Sequence, residues 1–406
     1  MLRVLVIEAS SGGVVGGSLT GLVHMIHGMD RTKIAPAIVL YEPKEIEADL
    51  GRIGVPVYHI FRRRLRKEHS LLQYDGYRRA KEVGGIRSAL RLGRNFLRFG
   101  VEELPAALRL AQIIYQSRTD VVHLGNGVRA NFDGIMACLM TRTPCVVHVK
   151  GFEKYSSRER WISSRIDALV PMTKAVEQHC AANGIHGRMT KVIYDALDES
   201  AYRPDREPAE VRADLGLHNG DPCIGVAGNI QQWKGQKVLV DAMAKVVEEI
   251  PAARGLIIGG VHRAGAGYHD ELQKQIRSYG LERNVLITGF RRDIANVMNA
   301  LDVVVHTSVT PEPFGRVILE GMLLGKPVIA SAAGGVPELI DDGETGFLIP
   351  PGDSEALADR LVMLLRDPAL RRRMGEKSRE WARQKFSLAS HVREMCALYE
   401  NLTRRN

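Results

Sequence analysis

The sequence predicts an α/β protein built from two doubly wound, Rossmann-like domains in tandem, which face a central cleft. Apolar, strand-like segments alternate with helix-length segments along the whole 406-residue chain. Strands of parallel sheets are covered on both faces and therefore read as almost continuous apolar runs. The pattern restarts after residue 220, and each half begins with a strand, a glycine-containing loop and a helix. Because ligands of such sheets bind at the carboxyl ends of the strands, we predict the site in the cleft between the domains.

The predicted elements form two halves that are joined by a charged stretch. Residues 198–212, which contain Pro204 and Pro208, are predicted to form a hinge. We therefore predict a first domain at 1–197, a second at 198–385, and a C-terminal helix at 386–406 that packs back toward the first domain. The predicted strands cover residues 3–9, 35–41, 120–125, 144–150, 168–173, 223–228, 254–260, 284–289, 302–308, 326–331 and 346–351. The predicted helices of the first half cover residues 17–29, 104–117 and 129–141.

The composition indicates a globular protein without a membrane span. The chain is 45% hydrophobic and 25% charged, which is ordinary for a folded protein. It has no apolar run of about 18 residues, the length that a transmembrane helix needs. The N-terminal apolar run is too short for a signal peptide and reads as a buried strand.

Five scattered cysteines, with no CxxC pair and no Cys/His cluster, indicate neither disulfides nor a metal site. We therefore expect a cytoplasmic protein.

Positive charge is concentrated in one segment. Residues 61–118 hold 14 lysines and arginines against five acidic residues, and the resulting net charge of +9 equals that of the whole chain. This segment favours peripheral contact of residues 62–98 with an anionic membrane surface on its inner face. An ordinary amphipathic helix packed on the first domain is the alternative. Nucleic acid is a disfavoured partner, because the sequence contains no recognised nucleic-acid-binding module. The arginines at helical spacing beside an apolar stripe are Arg87, Arg91, Arg94 and Arg98.

Glycine-containing loops follow the first strand of each half. The first loop, residues 10–18, has four glycines, including Gly16 and Gly17, that let backbone amides approach an anion or a sugar hydroxyl. It fits neither the dinucleotide fingerprint G-x-G-x-x-G nor a P-loop, and a tight turn is the alternative interpretation. The second loop, residues 228–236, places Lys234 at the start of a helix, where its ammonium suits a phosphate. An ordinary surface lysine is the alternative there.

Two glutamates eight positions apart frame the start of another helix. Pro311 and Pro313 keep the chain extended, so the helix is predicted to begin near Gly315. Glu312 then lies in the loop beside the free amides of the first turn, and Glu320 lies about one and a half turns into the helix. Carboxylates accept several hydrogen bonds and suit sugar hydroxyls. The pair predicts a site that holds a sugar at one end and a ribose at the other, with a diphosphate between them. Helix capping plus a solvated face is the alternative.

The sequence around these glutamates resembles a known family. EPFGRVILE (312–320) is similar to the E-x7-E motif of retaining glycosyltransferases of the GT-B fold, in particular family 4, the glycosyl transferases group 1. The resemblance continues through 228–243, 288–308 and 320–353, and covers the second half almost continuously from about residue 220 to 390. The first half is similar in outline, mainly at 12–18 and 146–152. The resemblance implies a hexosyltransferase-like enzyme that moves a sugar from a nucleotide-sugar to a glycan or lipid-linked acceptor, in polysaccharide or glycolipid synthesis, without a metal or other cofactor.

The resemblance also implies roles for residues of the second half. Glu312 is expected to contact hydroxyls of the donor sugar, together with the backbone of Phe314 and Gly315. Glu320 is expected to hold the ribose. Lys234 is expected to neutralise the diphosphate leaving group.

Further roles follow from the same resemblance. The backbone near Phe290 and Arg291 is expected to meet the base of the nucleotide. Gly16 and Gly17 are expected to approach the donor and the acceptor in the cleft.

Three positions depart from the family pattern. Asn229 stands where the family has arginine, which removes a cation from the diphosphate site, and Arg316 is the candidate replacement. Lys150 stands where a family strand ends in histidine, and His148 lies two residues earlier on the same face of that strand. We predict both as catalytic residues, with a satisfied core histidine as the alternative for His148. Asp195 stands in place of a family asparagine.

Three functions stay open from the sequence. The first is the glycosyltransferase, the second a nucleotide-sugar epimerase of similar architecture, and the third a catalytically silent protein that keeps the nucleotide-sugar site. The full context of the E-x7-E motif argues against the epimerase. Asn229 and Lys150 are the residues that keep the silent protein open.

Overall fold

The computed structural model describes residues 1–9, 17–62, 97–261 and 265–404. The chain forms two compact units. The first unit comprises Met1–Pro171, Glu177–Ile193 and Val392–Asn406, and the second comprises Met172–Val176 and Tyr194–His391. The predicted domains 1–197, 198–385 and 386–406 stay predictions, because compactness does not show which ranges fold independently. Outside the described residues lie most of the first glycine-rich loop and most of the basic segment, including Gly16, Arg87, Arg91 and Arg94.

The first unit contains a seven-stranded sheet of parallel strands. Its strand order is β3-β2-β1-β4-β5-β6-β7, and β1 pairs with β2 from Leu2 opposite Ile34 to Glu8 opposite Leu40. The middle of β1 is completely buried, which explains its continuous apolar sequence. The strands are β1 (Leu2–Glu8), β2 (Ile34–Leu40), β3 (Val57–His59), β4 (Val121–Leu124), β5 (Cys145–Val149), β6 (Ala168–Pro171) and β7 (Met189–Thr190).

The second unit contains a six-stranded parallel sheet with the order β10-β9-β8-β11-β12-β13. Its central strand β8 pairs with β9 on one side and with β11 on the other. These strands are β8 (Cys223–Ala227), β9 (Arg254–Ile258), β10 (Val285–Gly289), β11 (Val303–His306), β12 (Val328–Ser331) and β13 (Gly346–Ile349).

Helices alternate with these strands along the chain. The helices before residue 205 are α1 (Gly17–Gly28), α2 (Glu47–Arg52), α3 (Leu104–Gln116, preceded by a π-helical turn at Phe99–Glu103), α4 (Gly127–Ala130), α5 (Phe132–Thr141), α6 (Ser157–Ser163), α7 (Lys174–Ala182) and a 3-10 helix at Glu199–Tyr202. The later α-helices are α8 (Pro208–Asp214), α9 (Gln236–Glu249), α10 (Ala266–Ser278), α11 (Ile294–Asn299), α12 (Arg316–Leu323), α13 (Ser354–Arg366), α14 (Pro368–Lys385) and α15 (Leu388–Arg404). Further 3-10 helices lie at Gln232–Lys234 and Val336–Glu338.

The sequence predicts the central strands closely and misses the two edge strands of the first sheet. All eleven predicted strands are present, within two residues at most ends. β3 and β7 have three and two residues, too few for a period-2 pattern to be visible. The predicted helix 129–141 is divided at Asn131, whose side-chain amide donates to the carbonyl oxygen of Gly127 at 2.8 Å. That bond satisfies the carbonyl of Gly127, the first residue of α4, and the next helix begins at Phe132.

The core of the second unit is formed by amphipathic helices that cover the sheet. On α9, Leu239, Met243 and Val246 are completely buried at intervals of four and three, which is the spacing of one helix face. On α13, Leu361 and Leu364 are buried in the same cluster. Burial of each such side chain contributes about 1.5–3 kcal/mol. Packing of this kind supports the sheet whose carboxyl edge carries Lys234 and Glu312.

Neither a membrane helix nor a metal cluster is found among the described residues. Within 1–9, 17–62, 97–261 and 265–404, no helix is both long enough and apolar enough to cross a membrane. In the same ranges, no group of three His, Cys, Asp or Glu side chains is placed to hold a metal ion.

Candidate active site

The strand order of the second unit indicates where a ligand binds. The chain passes from β8 outward to β9 and β10 and then returns to the other side of β8 with β11. The point between β8 and β11 is therefore a topological switch point, where the loops that follow the two strands part and leave a crevice. Lys234 lies in the connection after β8, and Glu312 lies in the connection after β11. The topology places both residues at the crevice, independently of any family resemblance.

Glu312 is the centre of a charged cluster at this crevice. The ammonium of Lys234 donates to both carboxylate oxygens of Glu312, at 2.9 and 3.0 Å. Nε2 of His306 lies 2.7 Å from Oε2 of Glu312, and the hydroxyl of Ser308 donates to the same oxygen at 2.9 Å. The side chains of Glu312 and Lys234 are 14% and 17% exposed, so the cluster is mostly buried but keeps some contact with solvent. Lys234 also lies 4.3 Å from the ring centre of Trp233.

These contacts keep Glu312 ionised. Burial alone would raise the pKa of its carboxyl group, but the hydrogen bond and charge of His306 and the charge of Lys234 outweigh burial and lower the pKa to about 2. Glu312 is therefore a carboxylate at every pH at which the protein would work. An ionised carboxylate is a hydrogen-bond acceptor and is chemically suited to sugar hydroxyls.

The low pKa of Glu312 predicts a specific dependence of stability on pH. The folded-state value lies below the ordinary 4.5, so the stabilisation is complete above about pH 5 and is lost as the pH falls toward 2. We expect the free energy of unfolding of the wild type, minus that of Glu312→Gln, to fall by up to about 3 kcal/mol between pH 6 and pH 2. Urea titrations of both proteins across this range measure the difference. A difference that stays constant with pH would contradict the low pKa.

Two glycines allow three loops to meet around Glu312. Gly235 has φ +66°, and a Cβ there would overlap the carbonyl oxygen of Thr307. Gly334 has φ +67°, and a Cβ there would overlap the backbone of Glu312. The Thr307 hydroxyl donates to the carbonyl oxygen of Lys234 at 3.0 Å, and the amide of Gly335 donates to that of Glu312 at 2.8 Å. The two glycines and the two hydrogen bonds therefore hold the loops after β8 and β12 against the loop that carries Glu312.

Glu320 lies on α12, the helix that follows. The prediction that this helix begins near Gly315 is confirmed, since Gly315 is its N-cap and Arg316 its first residue. The Tyr202 hydroxyl donates to Oε1 of Glu320 at 2.8 Å. Burial raises the pKa of Glu320, opposed by the Tyr202 hydrogen bond and by the charges of Arg316 and Lys234. The charge of Lys234 therefore favours the ionised form of both glutamates.

Arg316 is the second cation near this pair of glutamates. Its Nη1 lies 3.9 Å from a carboxylate oxygen of Asp195, too far for a hydrogen bond, and this buried nitrogen has no hydrogen-bond partner among the described residues. The first amides of α12 have no partner within the helix and carry its positive dipole end. Phe314 contributes only backbone here, because its ring is buried and packs edge-on against Phe386.

The other predicted residues of the second unit lie at the same edge of the sheet. Asn229 is exposed in the loop after β8, and its carbonyl oxygen accepts from the Gln236 side chain at 3.0 Å. Phe290 directly follows β10 and is 73% exposed, and Arg291 is held by Asp293 through two hydrogen bonds of 2.8 and 2.7 Å. Neighbouring strands lie about 4.8 Å apart, so β10 and β11 are separated by about 14 Å. The predicted base end and sugar end of the site are thus spread along one edge.

The predicted residues of the first unit are in a different setting. Gly17 is the first residue of α1, while Gly16 lies outside the described residues. His148 is completely buried in β5, where its ring contacts that of His123 edge-on at 5.6 Å. This geometry favours the core-histidine interpretation, and a catalytic role for His148 stays a prediction. Lys150 follows the end of β5 and is partly exposed.

Three side chains that contact Glu312 or Glu320 were not predicted as site residues from the sequence. His306 and Ser308 lie inside the predicted strand segment 302–308, so the sequence predicts them as residues of the sheet. Their position at the carboxyl end of a strand beside the switch point is the signal that marks them. Tyr202 lies in the charged stretch 198–212, and no local pattern links it to Glu320, which is 118 residues away.

Comparison with known proteins identifies the family. Residues 208–381 match the family described as Glycosyl transferases group 1. The putative glycosyltransferase EpsD of Bacillus subtilis (strain 168) is 30% identical over 323 residues, which span 74% of this chain and 81% of that protein. The chain belongs to the glycosyl transferases group 1 family. It is therefore a glycosyltransferase by family.

Further comparisons extend the likeness over the whole chain. The N-acetyl-alpha-D-glucosaminyl L-malate synthase of Bacillus anthracis is 30% identical over 214 residues, about half of each protein, 53% of this chain and 54% of that one. The crystal structure of Anabaena Alr3699/HepE in complex with UDP matches 99% of this chain and 100% of that chain, with a TM-score of 0.79 and 25% identity. The same protein is also solved with UDP-glucose. The predicted fold class, two Rossmann-like α/β sheets of the GT-B type, is confirmed.

Proposed function

We propose that this family member is a metal-independent, retaining glycosyltransferase. It moves a hexose from a nucleotide-sugar to a glycan or lipid-linked acceptor, in the synthesis of cell-surface polysaccharide or glycolipid. The observation that carries this proposal is the cluster of Lys234, His306 and Ser308 around Glu312, at the switch point of the second sheet. In one crevice, the cluster combines a carboxylate that can accept hydrogen bonds from sugar hydroxyls with a cation that can pair with a diphosphate. A sugar diphosphate requires both groups.

The donor is assigned to the edge formed by β8, β10, β11 and α12. Glu312 accepts from hydroxyls of the donor sugar, beside the amides of Phe314 and Gly315. Glu320 accepts from the ribose, and the backbone at Phe290 and Arg291 meets the base. Nucleotide-sugar binding is supported by the structures of Anabaena HepE with UDP and with UDP-glucose.

Cationic groups of this chain supply the charge that the leaving diphosphate needs. Lys234 and Arg316 contribute side chains, Asn229 contributes an uncharged loop beside them, and α12 contributes its N-terminal dipole. In the reaction, the bond between the anomeric carbon and the diphosphate oxygen breaks, and both electrons leave with the diphosphate. The acceptor oxygen bonds to the anomeric carbon on the same face, and its proton passes to the departing phosphate. Fixed cations stabilise the negative charge as it develops, so we assign no step to a metal ion.

The first unit is proposed to provide the acceptor side. Lys150 is partly exposed after β5, and Gly17 begins α1. Together with Gly16 and His148 they are the residues that we assign to the acceptor or to the transferred sugar. Contact of residues 62–98 with an anionic membrane at the cytoplasmic face is part of the same proposal, because a lipid-linked acceptor would be found there. Of these residues, 63–96 lie outside the described part of the chain.

A donor screen in the presence of EDTA tests the proposal. UDP-, GDP- and ADP-sugars are scored by thermal stabilisation and by slow release of the nucleoside diphosphate. We expect one donor to stabilise the fold and to be hydrolysed slowly, with both effects reduced in Glu320→Gln. Proton NMR of the released sugar should show the α-anomer first if the donor is an α-sugar, as retention requires. Stabilisation without hydrolysis would favour the silent binding protein, and epimerised sugar nucleotide would favour the epimerase.

A further inference from the structure

Tyr202 holds one oxygen of Glu320. It is the last residue of the 3-10 helix Glu199–Tyr202, and its hydroxyl donates to Oε1 of Glu320 at 2.8 Å. The short helix is fixed at its start, where Asp198 accepts from the Ser200 amide at 2.9 Å. Its first residue, Glu199, is also paired with a guanidinium, that of Arg383 on α14. The phenol therefore reaches Glu320 from an element that is itself held in place.

The charges around Glu320 explain why a phenol is useful at this position. Burial and the charge of Glu320 raise the pKa of Tyr202 well above its ordinary value, so its hydroxyl stays protonated and can only donate to the carboxylate. Lys234 and Arg316 are the cations that act on Glu320, and Asp195 acts on Arg316 in turn. The Tyr202 hydrogen bond is the largest of the effects that lower the pKa of Glu320 against burial. A phenylalanine would fill the same space without making this bond.

We propose that Tyr202 is a positioning residue that fixes the carboxylate of Glu320 for the ribose diol of the donor. A carboxylate has about four lone-pair sites, and the Tyr202 hydroxyl uses one of them on Oε1. The bond restrains rotation of the carboxylate and favours its charged form, while the remaining lone pairs are available to two vicinal hydroxyls. This inference rests on the proposed function, since it needs a nucleotide whose ribose binds Glu320.

The test uses Tyr202→Phe and two probes that differ only in the ribose. Affinities for UDP and for 2′,3′-dideoxy-UDP are measured by calorimetry, with GDP and ADP and their dideoxy analogues run in parallel. We expect Tyr202→Phe to lose about tenfold in affinity for the matching nucleoside diphosphate, because a hydrogen bond to a charged group is lost. The affinity for the dideoxy analogue should change by less than about twofold. Tyr279→Phe is the matched control, because the Tyr279 hydroxyl donates to a carboxylate of another part of this unit, Asp241, at 2.9 Å.

The dependence of nucleotide affinity on pH is a second measurement. A merely structural role of Tyr202 would leave this dependence unchanged. Loss of the Tyr202 hydrogen bond should raise the pKa of Glu320 further, since that bond favours the charged form. We therefore expect the acid limb of nucleotide affinity to move to higher pH in Tyr202→Phe and to stay in place in Tyr279→Phe.

The outcomes separate this inference from the proposed function. If the wild type binds nucleoside diphosphates and Glu320→Gln weakens binding, but Tyr202→Phe behaves like the wild type, the positioning role is wrong and the proposed function stands. Equal losses for the ribose and dideoxy probes in Tyr202→Phe would also overturn the positioning role. If the wild type binds none of the nucleotides, the proposed function itself fails. Melting curves of each variant, compared with that of the wild type, serve as the control for a general loss of fold.

Discussion

Replacement of Glu312 with glutamine is expected to lower kcat/KM by at least about a hundredfold, as the loss of a preorganised electrostatic group does in other active sites. Glutamine keeps the size of the side chain and its hydrogen bond from Ser308. It removes the negative charge that Lys234 and His306 hold in place. The ammonium of Lys234, only 17% exposed, then lacks its partner. The amide of glutamine donates hydrogen bonds through its nitrogen and accepts them through its oxygen. The side chain therefore no longer offers two acceptor oxygens to sugar hydroxyls.

The control for this change is another glutamate that pairs with a lysine in the same unit. Glu271 lies 2.7 Å from the ammonium of Lys237, but its side chain is 61% exposed. Exposed pairs contribute little, about 0–1 kcal/mol, so Glu271→Gln should keep wild-type turnover. Release of nucleoside diphosphate is the measurement, with circular dichroism to verify folding. Turnover of Glu312→Gln within about twofold of the wild type would show that Glu312 is not part of the reaction.

Replacement of Lys234 with methionine is expected to lower kcat by about a hundredfold or more, with a smaller effect on nucleotide affinity. The long apolar side chain of methionine can keep the contact with Trp233, while the charge is lost. The charge matters most when the bond to the diphosphate breaks, because negative charge then develops on the leaving oxygen. Lys234 also lowers the pKa of Glu312, so its removal weakens the ionised state of that carboxylate.

A double-mutant cycle tests whether Lys234 and Glu312 act as one unit. The two side chains share hydrogen bonds of 2.9 and 3.0 Å, so their effects should not add. We expect Lys234→Met together with Glu312→Gln to be little worse than the more damaging single change. Lys237→Met, which removes the partly exposed lysine of the other pair, is the control. Fully additive losses in kcat would indicate that the two residues act at separate steps.

The parts of the fold that the sequence predicts are those with a local signal. The buried strands β1, β8 and β11 are continuous apolar runs between helices, and the start of α12 is marked by Pro313 and Gly315. β3 and β7 could not be predicted, because two or three residues are too few to show a strand pattern of their own. They are strands because they pair with the neighbouring strands β2 and β6. The break at Asn131 coincides with a single side-chain hydrogen bond, which no local pattern predicts.

The site was predictable only in part for a similar reason. Glu312 and Lys234 are 78 residues apart, and in the sequence only the family resemblance links them. His306 and Ser308 have no spacing of their own that distinguishes them from strand residues. Tyr202 meets Glu320 only because the chain from Tyr194 onward packs into the same compact unit as α12. Contacts of this kind are products of tertiary structure and leave no periodic pattern in the sequence.

Turnover itself tests the central claim most directly. Release of nucleoside diphosphate from UDP-, GDP- and ADP-glucose is followed in EDTA for the wild type and Glu312→Gln side by side. We expect the wild type to release the diphosphate from one of these donors without a divalent cation, and Glu312→Gln to do so at about a hundredth of that rate or less. Equal rates in two folded proteins, or release that requires a divalent cation, would contradict a metal-independent transfer centred on Glu312.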